Sequence, residues 1–163
     1  MAENVYVKIT ANGKQLEGES TVKSKGREGL IECRQIHMGA RTGIDRTGSK
    51  GTGSVLFDDF VIIKPIDKAS ALIYQALCQN ETIELEAKFF RPSQADGKTE
   101  HFYSIIGTGG RIISISQSTA DGMDPNSANE EPCETISLKF EAINFSYPTA
   151  SLEYGYSRSQ SDW

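Results

Sequence analysis

The sequence predicts a mainly β protein, built as a tight β-barrel or two-sheet sandwich with one flanking α-helix and an extended loop. Apolar and polar residues alternate along much of the chain, which is the pattern of half-buried strands. A single segment has its apolar residues at helical spacing, and a long glycine-rich stretch interrupts the alternation. The 163 residues, 37% of them hydrophobic, suffice for one core, so we predict one domain over residues 1–163.

Two strands are clear from strict alternation. In residues 5–10 and 83–90 every second residue is apolar, so one face of each strand is expected to be buried. Shorter apolar runs predict four further strands, at residues 30–38, 55–64, 101–106 and 112–117. The last two flank the sequence Gly-Thr-Gly-Gly at residues 107–110, which we interpret as a turn between strands.

The final predicted strand, residues 136–147, changes the phase of its alternation. Apolar residues occupy even positions up to Ala142 and odd positions from Ile143 onward. A shift of one residue reverses the buried face, so we expect a β-bulge or a move between sheets near this pair. The segment after Pro148 is rich in Ser and Tyr, and residues 149–163 are expected to form an extended or disordered tail.

One helix is predicted between residues 67 and 80. Asp67 can cap its start, Asn80 is a plausible stop, and Pro65 ends the strand before it. The apolar stripe of this helix consists of Leu72, Ile73, Ala76 and Leu77. A single helix among many strands is expected to flank the sheets.

Composition argues against several classes of protein. The net charge of −5 disfavours nucleic-acid binding, and no window approaches the roughly 20 apolar residues of a membrane span. Residues 1–8 lack the basic and apolar regions of a signal peptide, so we expect a cytoplasmic start and any export without a cleavable signal. Cys33, Cys78 and Cys133 are odd in number and far apart, which indicates reduced thiols.

The sequence offers few residues for catalysis. Cys33 and His37, four apart on a predicted strand, would lie about 13 Å apart, too far for a thiolate–imidazole pair. Asp58 and Asp59, predicted to be adjacent on a strand, would point to opposite faces. No spacing of Cys and His suggests zinc, so we expect no enzyme activity, cofactor or metal.

The glycine-rich stretch at residues 39–53 has the features of a functional loop. Its sequence approaches a P-loop, but Ser precedes Lys and a strand follows it, so nucleotide binding is disfavoured. Long loops are uncommon unless functional, and this one could pair with a neighbouring molecule or be a mobile surface loop. It combines five glycines with three cations: Gly39, Gly43, Gly48, Gly51 and Gly53 with Arg41, Arg46 and Lys50.

Four stretches together resemble the hemolysin-coregulated protein (Hcp) family, the tube proteins of type VI secretion systems. Residues 60–72 are similar to the family's strand that ends in Lys before an Asp-Lys-Ala-Ser helix start. The other stretches are Gly-Glu-Ser at 18–20, Pro-Cys-Glu-Thr-Ile-Ser-Leu-Lys-Phe at 132–140 and Tyr-Gly-Tyr at 154–156. They occur in the family's order over most of the chain. The sequence departs from the family pattern at residues 21–24, Ala71 and Tyr156.

The resemblance implies a homohexameric ring with an open centre. Rings stack into the inner tube that a contractile sheath drives into a target cell, so spike, sheath and effector proteins are the implied partners. The protein would be cytoplasmic before firing and extracellular afterwards. The implied ring-stacking residues are Gly39, Arg41, Gly43, Arg46, Gly48, Lys50 and Gly53, and Gln35 and His37 would face the central channel.

Two other functions are weighed against the tube subunit. A monomeric β-barrel carrying a small ligand would need an interior lined by small residues, whereas Phe89, Leu138 and Phe140 indicate a filled interior. A hydrolase using Cys or His is disfavoured by the missing constellation of side chains.

Overall fold

Residues 4–44 and 51–157 are described by the structure, a computed structural model, and they form two packed antiparallel sheets with one helix. The expectation of a mainly β sandwich flanked by a helix is confirmed. In chain order the elements are β1 (Val5–Ala11), β2 (Lys14–Leu16), β3 (Ile31–Cys33), β4 (Gln35–His37), β5 (Ala40–Ile44), β6 (Gly51–Phe57), β7 (Phe60–Pro65), α1 (Ser70–Cys78), β8 (Ile83–Pro92), β9 (Thr99–Ser118), β10 (Cys133–Lys139), β11 (Ala142–Tyr147) and β12 (Leu152–Ser157).

The two sheets share the long strand β9. In the first sheet the order is β2-β1-β8-β9-β11-β12, with β3 also paired to β1. In the second sheet the order is β9-β10-β7-β4. Residues 104–108 of β9 pair with β11, and residues 111–118 pair with β10, so β9 crosses from the first sheet to the second. Strands β5 and β6 form a separate hairpin.

The interpretation of residues 107–110 as a turn is wrong. These residues lie inside the continuous strand β9, at the point where it crosses between the sheets. A Cβ built on Gly107 would lie 2.6 Å from Phe140 Cδ1, and one on Gly110 would also overlap that ring. Glycine therefore makes room for the Phe140 ring, and Gly109, at a φ of 64°, supplies a left-handed residue at the crossing.

The phase change in the last predicted strand is confirmed as a move between sheets. The segment forms two strands, with β10 in the second sheet and β11 in the first. Residues 140 and 141 connect them, and Phe140 packs against Phe60 with ring centroids 5.9 Å apart. The buried apolar residues move from even to odd positions because the chain enters the other sheet.

Two other predicted strands are each divided in the structure. The segment 30–38 forms β3, which pairs with β1, and β4, which pairs with β7, with Arg34 between them. The segment 55–64 forms the end of β6 and β7, and Asp58 and Asp59 lie in the connection, so the prediction that they occupy a strand is wrong. Each division lets the chain change its pairing partner, which a local apolar pattern cannot reveal.

The tail and the helix depart partly from prediction. Residues 152–157 of the tail form β12, while residues 158–163 lie outside the described residues. The helix stops as expected, with Asn80 at a φ of 50°. It begins at Ser70, so Asp67 is not its N-cap. Instead the Asp67 carboxylate accepts a hydrogen bond from the Ala69 N–H at 3.0 Å and contacts Lys64.

The core lies between the sheets and under α1. Fully or nearly fully buried side chains come from both sheets and from the helix: Val7, Ile9, Ile31, Phe60, Ile62, Ile73, Leu85, Ile136 and Leu138. A second, smaller cluster lies on the outer face of the first sheet, where Tyr6, Leu30 and Phe90 pack together. The connection between β2 and β3 covers this second cluster, and Arg27 lies 4.6 Å from the Phe90 ring centroid and 5.2 Å from that of Tyr6.

Replacing Arg27 with alanine is expected to lower the free energy of unfolding by about 1–2 kcal/mol. Arg27 is 7% exposed and its guanidinium group covers two aromatic faces, so truncation removes both packing and cation–π interactions. Urea unfolding measures the loss. Lys23→Ala, at an exposed cation in the same connection, is expected to stay within about 0.5 kcal/mol of the parent. Equal losses in the two variants would contradict this role of Arg27.

Candidate functional site

Gln35 and His37 lie together on the outer face of the second sheet. Both are exposed on β4, opposite Ile63 and Val61 of β7. The neighbouring strands continue this face with small hydroxyl side chains: Thr135 and Ser137 on β10, and Ser114 and Ser116 on β9. We call these eight residues the hydroxyl face. It carries no ionised carboxylate, lysine or arginine among its members, so its surface chemistry is that of hydrogen-bonding hydroxyls around β-branched side chains.

The predicted loop is a hairpin at its described ends. Gly39 precedes β5, Arg41 and Gly43 lie on β5, and Gly53 lies on β6. Arg46, Gly48 and Lys50 lie outside the described residues, so the ring-stacking role of the loop stays a prediction. A Cβ on Gly39 would lie 2.5 Å from Asp58 Oδ2, so the Asp58 carboxylate would have to shift, and the Gly39 carbonyl oxygen accepts the Asp58 N–H at 2.9 Å. A surface pocket of about 420 Å³ at the hairpin base contains Arg41, His37 and Lys139.

A buried ionic network lies beneath the start of α1, and the sequence reasoning missed it. Lys64 at the end of β7 is fully buried and forms ion pairs with Glu134 of β10 and, at 2.9 Å, with Asp67. Ser70 Oγ donates to Glu134 Oε1 at 2.8 Å, and Gln117 Nε2 donates to Glu134 Oε2 at 2.9 Å. The network thus joins β7, β9, β10 and the first turn of the helix, which fixes α1 against the second sheet.

The alternation of the strands contains the signal for this network. Phe60 and Ile62 point inward from β7, and Lys64 has the same parity. Ile136 and Leu138 point inward from β10, and Glu134 shares their parity. A cation and an acid at inward positions of two strands can be buried only if they pair. Reading the parity of charged residues would therefore have predicted their contact once the strands were known to be neighbours.

Beside this network lies a groove of about 580 Å³, which we call the acidic groove. Its walls carry four carboxylates and its floor is partly apolar: Glu19, Glu32, Asp67 and Glu131 with Ser20, Pro65, Ile66 and Pro132. Glu19 Oε1 accepts the Lys68 N–H at 3.0 Å, which ties the Gly-Glu-Ser stretch to the helix start. Arg34 donates to Glu131 at 3.1 Å at the rim. The groove therefore lies where three of the sequence stretches used for the family resemblance meet.

An exposed apolar strip lies on β12, at the edge of the first sheet. Leu152 and Tyr154 are each 65% exposed. Tyr154 pairs with Phe145 of β11, and Tyr156, on the same side of β12, packs against Phe57 with ring centroids 5.2 Å apart. Within the described part of the chain, β12 pairs with β11 alone. The edge thus combines backbone groups with large apolar side chains on one side.

The structure does not assemble a catalytic group from the predicted cysteines and histidines. Cys33 and His37 lie on strands of different sheets, and burial raises the pKa of the Cys33 thiol well above its ordinary value. His101 Nε2 lies 2.6 Å from Ser104 Oγ, but Ser104 is 3% exposed. Among residues 4–44 and 51–157 no group of three or more Cys, His, Asp or Glu could hold a metal ion. No helix in that part of the chain is long and apolar enough to span a membrane.

Comparison with known proteins identifies the family. The sequence profile of the family described as "Type VI secretion system effector, Hcp" matches residues 6–147. The chain belongs to the Hcp family. Its Hcp relatives include the "Major exported protein" of Pseudomonas aeruginosa, which is 27% identical over 140 residues, covering 85% of this chain and 81% of that protein.

Solved Hcp structures have the same fold. A crystal structure of an Hcp protein matches with a TM-score of 0.83 at 19% identity, covering 96% of this chain and 98% of that one. A mutant of Hcp1 from the Escherichia coli EAEC 042 pathovar matches with a TM-score of 0.81 at 21% identity, covering 96% and 99%. These structures confirm the fold, and the match to the family profile confirms the resemblance noted in the sequence and assigns the chain a role in type VI secretion.

Proposed function

We propose that this Hcp chain is a structural, non-enzymatic subunit of the type VI inner tube, in which six copies form a ring and rings stack. The observation that carries this proposal is the exposed apolar strip on β12. Soluble monomers rarely leave a sheet edge uncovered next to large apolar side chains, because such an edge pairs with other chains. Contact with a second copy removes Leu152 and Tyr154 from water.

A closed ring needs two different, complementary faces on each subunit. The strip on β12 supplies one of them, at one end of the first sheet. The second face must lie elsewhere on the same molecule, since an interface that pairs like with like would stop at a dimer. Repeating one heterologous contact around the ring buries the edge of every subunit.

The hydroxyl face lines the central channel in this proposal, with Gln35 and His37 exposed on it. Serine and threonine hydroxyls can donate and accept hydrogen bonds, so they can hold proteins of varied sequence. The eight members carry no carboxylate, lysine or arginine, which avoids a tight, salt-dependent grip on one class of passenger, and the charged side chains Arg41 and Lys139 border the face at His37. Effector proteins are therefore the proposed cargo.

A monomeric carrier of small ligands is less well supported. Phe60 and Leu138 are buried and fill the space between the sheets at this point. The cleft beside them, lined also by Phe140, has a volume of only about 10 Å³, which is about the room that one water needs, so no ligand fits there.

The localisation of the protein and its partner proteins are also proposed. The protein is made in the cytoplasm, leaves the cell when the apparatus fires, and meets spike, sheath and effector proteins on the way. The name of its Pseudomonas relative, "Major exported protein", supports export.

Replacing Tyr154 with glutamate is expected to convert rings into folded monomers. Burying a charge in place of an aromatic contact residue costs about 2 kcal/mol or more per interface, which is about 30-fold in affinity. Native mass spectrometry and negative-stain electron microscopy measure the outcome, with circular dichroism as the test of folding. Annular hexamers from the parent chain would support the proposal, and a parent protein that stays monomeric at high concentration would contradict it.

The matched control is Met123→Glu. Met123 is 91% exposed in the connection between β9 and β10, so the same charge is added to an exposed apolar residue far along the chain from β12. This variant is expected to form rings like the parent. Rings that survive Tyr154→Glu would show that the β12 strip is not the subunit interface.

A further inference from the structure

The turn between β1 and β2 contains an Asn-Gly pair, Asn12 and Gly13, and no other asparagine in the sequence precedes a glycine. The two residues connect the paired positions Ala11 and Lys14 and have φ angles of 48° and 81°. Two positive φ angles in a two-residue loop define a type I′ turn, for which Asn-Gly is a preferred sequence. Both residues are exposed, and a Cβ on Gly13 would meet nothing within 4 Å, so the turn is open to solvent.

Two hydrogen bonds tie this turn to Thr82, the residue that directly precedes β8. The Asn12 N–H donates to the Thr82 carbonyl oxygen at 2.9 Å, and the Thr82 N–H donates to Asn12 Oδ1 at 3.0 Å. The asparagine thereby extends the β1–β8 ladder one step beyond the pair Ala11 and Ile83. We call these two bonds the turn clamp. The clamp joins the β1–β2 turn to the connection between α1 and β8.

We propose that Asn12 is a site of spontaneous covalent modification, at which the side-chain amide is lost through a cyclic imide, and that the turn clamp sets the rate. The Gly13 nitrogen attacks Asn12 Cγ, a C–N bond forms, and the side-chain amide nitrogen leaves as ammonia. Water then opens the imide at either of its two carbonyl carbons. The products are aspartate and isoaspartate at position 12, and the reaction consumes only water.

The structure leaves the attacking nitrogen accessible and restrains the group that it attacks. Within residues 4–44 and 51–157 the Gly13 N–H donates no hydrogen bond, and glycine has no side chain to shield its nitrogen. Attack requires the Asn12 side chain to rotate until Cγ meets that nitrogen, and the bond from the Thr82 N–H opposes the rotation. The reaction therefore proceeds from molecules in which the clamp is open. Since the clamp lies at an exposed turn, local opening is enough.

The two products affect the clamp differently. Aspartate keeps a side-chain oxygen that accepts the Thr82 N–H. Isoaspartate adds a carbon atom to the main chain inside the two-residue turn, which distorts the pairing of Ala11 with Lys14 and pulls the acceptor away from Thr82. We expect the Thr82 amide hydrogen to exchange at least about fivefold faster in the isoaspartate form. The connection between α1 and β8 is thus the part of the fold that loosens as the protein ages.

Peptide mapping of the ageing protein tests the site. The folded chain is incubated at neutral and mildly alkaline pH and digested in acid, and electron-transfer fragmentation distinguishes isoaspartate from aspartate at position 12. The rate is expected to rise with pH, because the attacking nitrogen must lose its proton, and to be at least about fivefold higher in urea, where the clamp is absent. Asn12 is expected to convert well before the asparagines whose next residue carries a side chain: Asn4, Asn80, Asn126, Asn129 and Asn144.

Two substitutions of Thr82 form a matched pair for the clamp. Thr82→Pro removes the N–H that binds Asn12 Oδ1, whereas Thr82→Ala keeps it, and circular dichroism checks the fold of both. Thr82→Pro is expected to convert Asn12 within about twofold of the rate in urea, and Thr82→Ala at the rate of the parent. If Thr82→Pro does not fold, the parent with and without urea decides.

The outcomes that contradict the proposal are distinct. An Asn12 that stays intact in the folded protein, while the unfolded chain converts, would overturn the site. Equal rates in the folded and the unfolded parent, or in the two folded Thr82 variants, would overturn the control of the rate by the clamp.

Discussion

Replacing Lys64 with methionine is expected to lower the free energy of unfolding by about 3–5 kcal/mol. The Lys64 side chain is fully buried, and its ammonium group is held by Glu134, by Asp67 at 2.9 Å and by the Pro65 carbonyl oxygen at 3.0 Å. Methionine has a similar shape but no charge. The loss arises because Glu134 stays buried without its cation. Urea unfolding followed by circular dichroism measures the change.

Two further variants define the origin of the loss. Lys68→Met makes the same substitution four residues later, at a side chain that is 55% exposed and 3.8 Å from Glu17, and is expected to cost at most about 0.5–1 kcal/mol. Lys64→Met combined with Glu134→Gln removes both buried charges and is expected to recover at least about 1 kcal/mol relative to Lys64→Met alone. Strictly additive losses would show that the pair is not coupled.

Replacing Gly107 with alanine is expected to lower the free energy of unfolding by about 1–3 kcal/mol. The same substitution at an exposed glycine is expected to cost less. The new methyl group would lie 2.6 Å from two Phe140 ring carbons, Cδ1 and Cγ. The ring cannot move away freely, because it packs edge-on against Phe60 in the core. Either the ring or β9 must shift at the crossing between the sheets, and thermal and urea unfolding measure the cost.

Gly122→Ala is the matched control for this substitution. A Cβ on Gly122 meets nothing within 4 Å, so the variant is expected to differ from the parent by less than about 0.5 kcal/mol. Phe140→Leu should make the Gly107 substitution cheaper, since a smaller side chain leaves room for the methyl group. If Gly107→Ala is as mild as Gly122→Ala, the glycine is not needed to seat the ring.

Both variants concern features that the sequence contained but did not explain. Lys64 and Glu134 lie in two of the stretches that resemble the family, and they share the inward parity of the apolar residues on their strands. Their contact could not be predicted, because nothing local says that β7 and β10 are neighbours. Gly107 was visible too, but a glycine in an isolated run of sequence predicts a turn. The Phe140 ring that occupies the space beside Gly107 comes from the connection between β10 and β11, far along the chain.

The sequence also predicted some of the candidate surfaces and not others. Gln35 and His37 were predicted from the resemblance, and the structure places them on one exposed face. The cationic loop was predicted from its composition, although part of it is a β-hairpin. The acidic groove was not predicted, because its carboxylates come from four separate parts of the chain: residues 19, 32, 67 and 131.

By itself the sequence determined which residues face inward, where the single helix stops and where the last strand changes sheet. These features follow from side-chain polarity at neighbouring positions, which is local information. Only the tertiary structure decided which strands are neighbours, that β9 continues through its glycines, and that Lys64 is neutralised by Glu134. Pairing between distant strands depends on contacts across the whole core, and a local sequence pattern does not specify which strand is the partner.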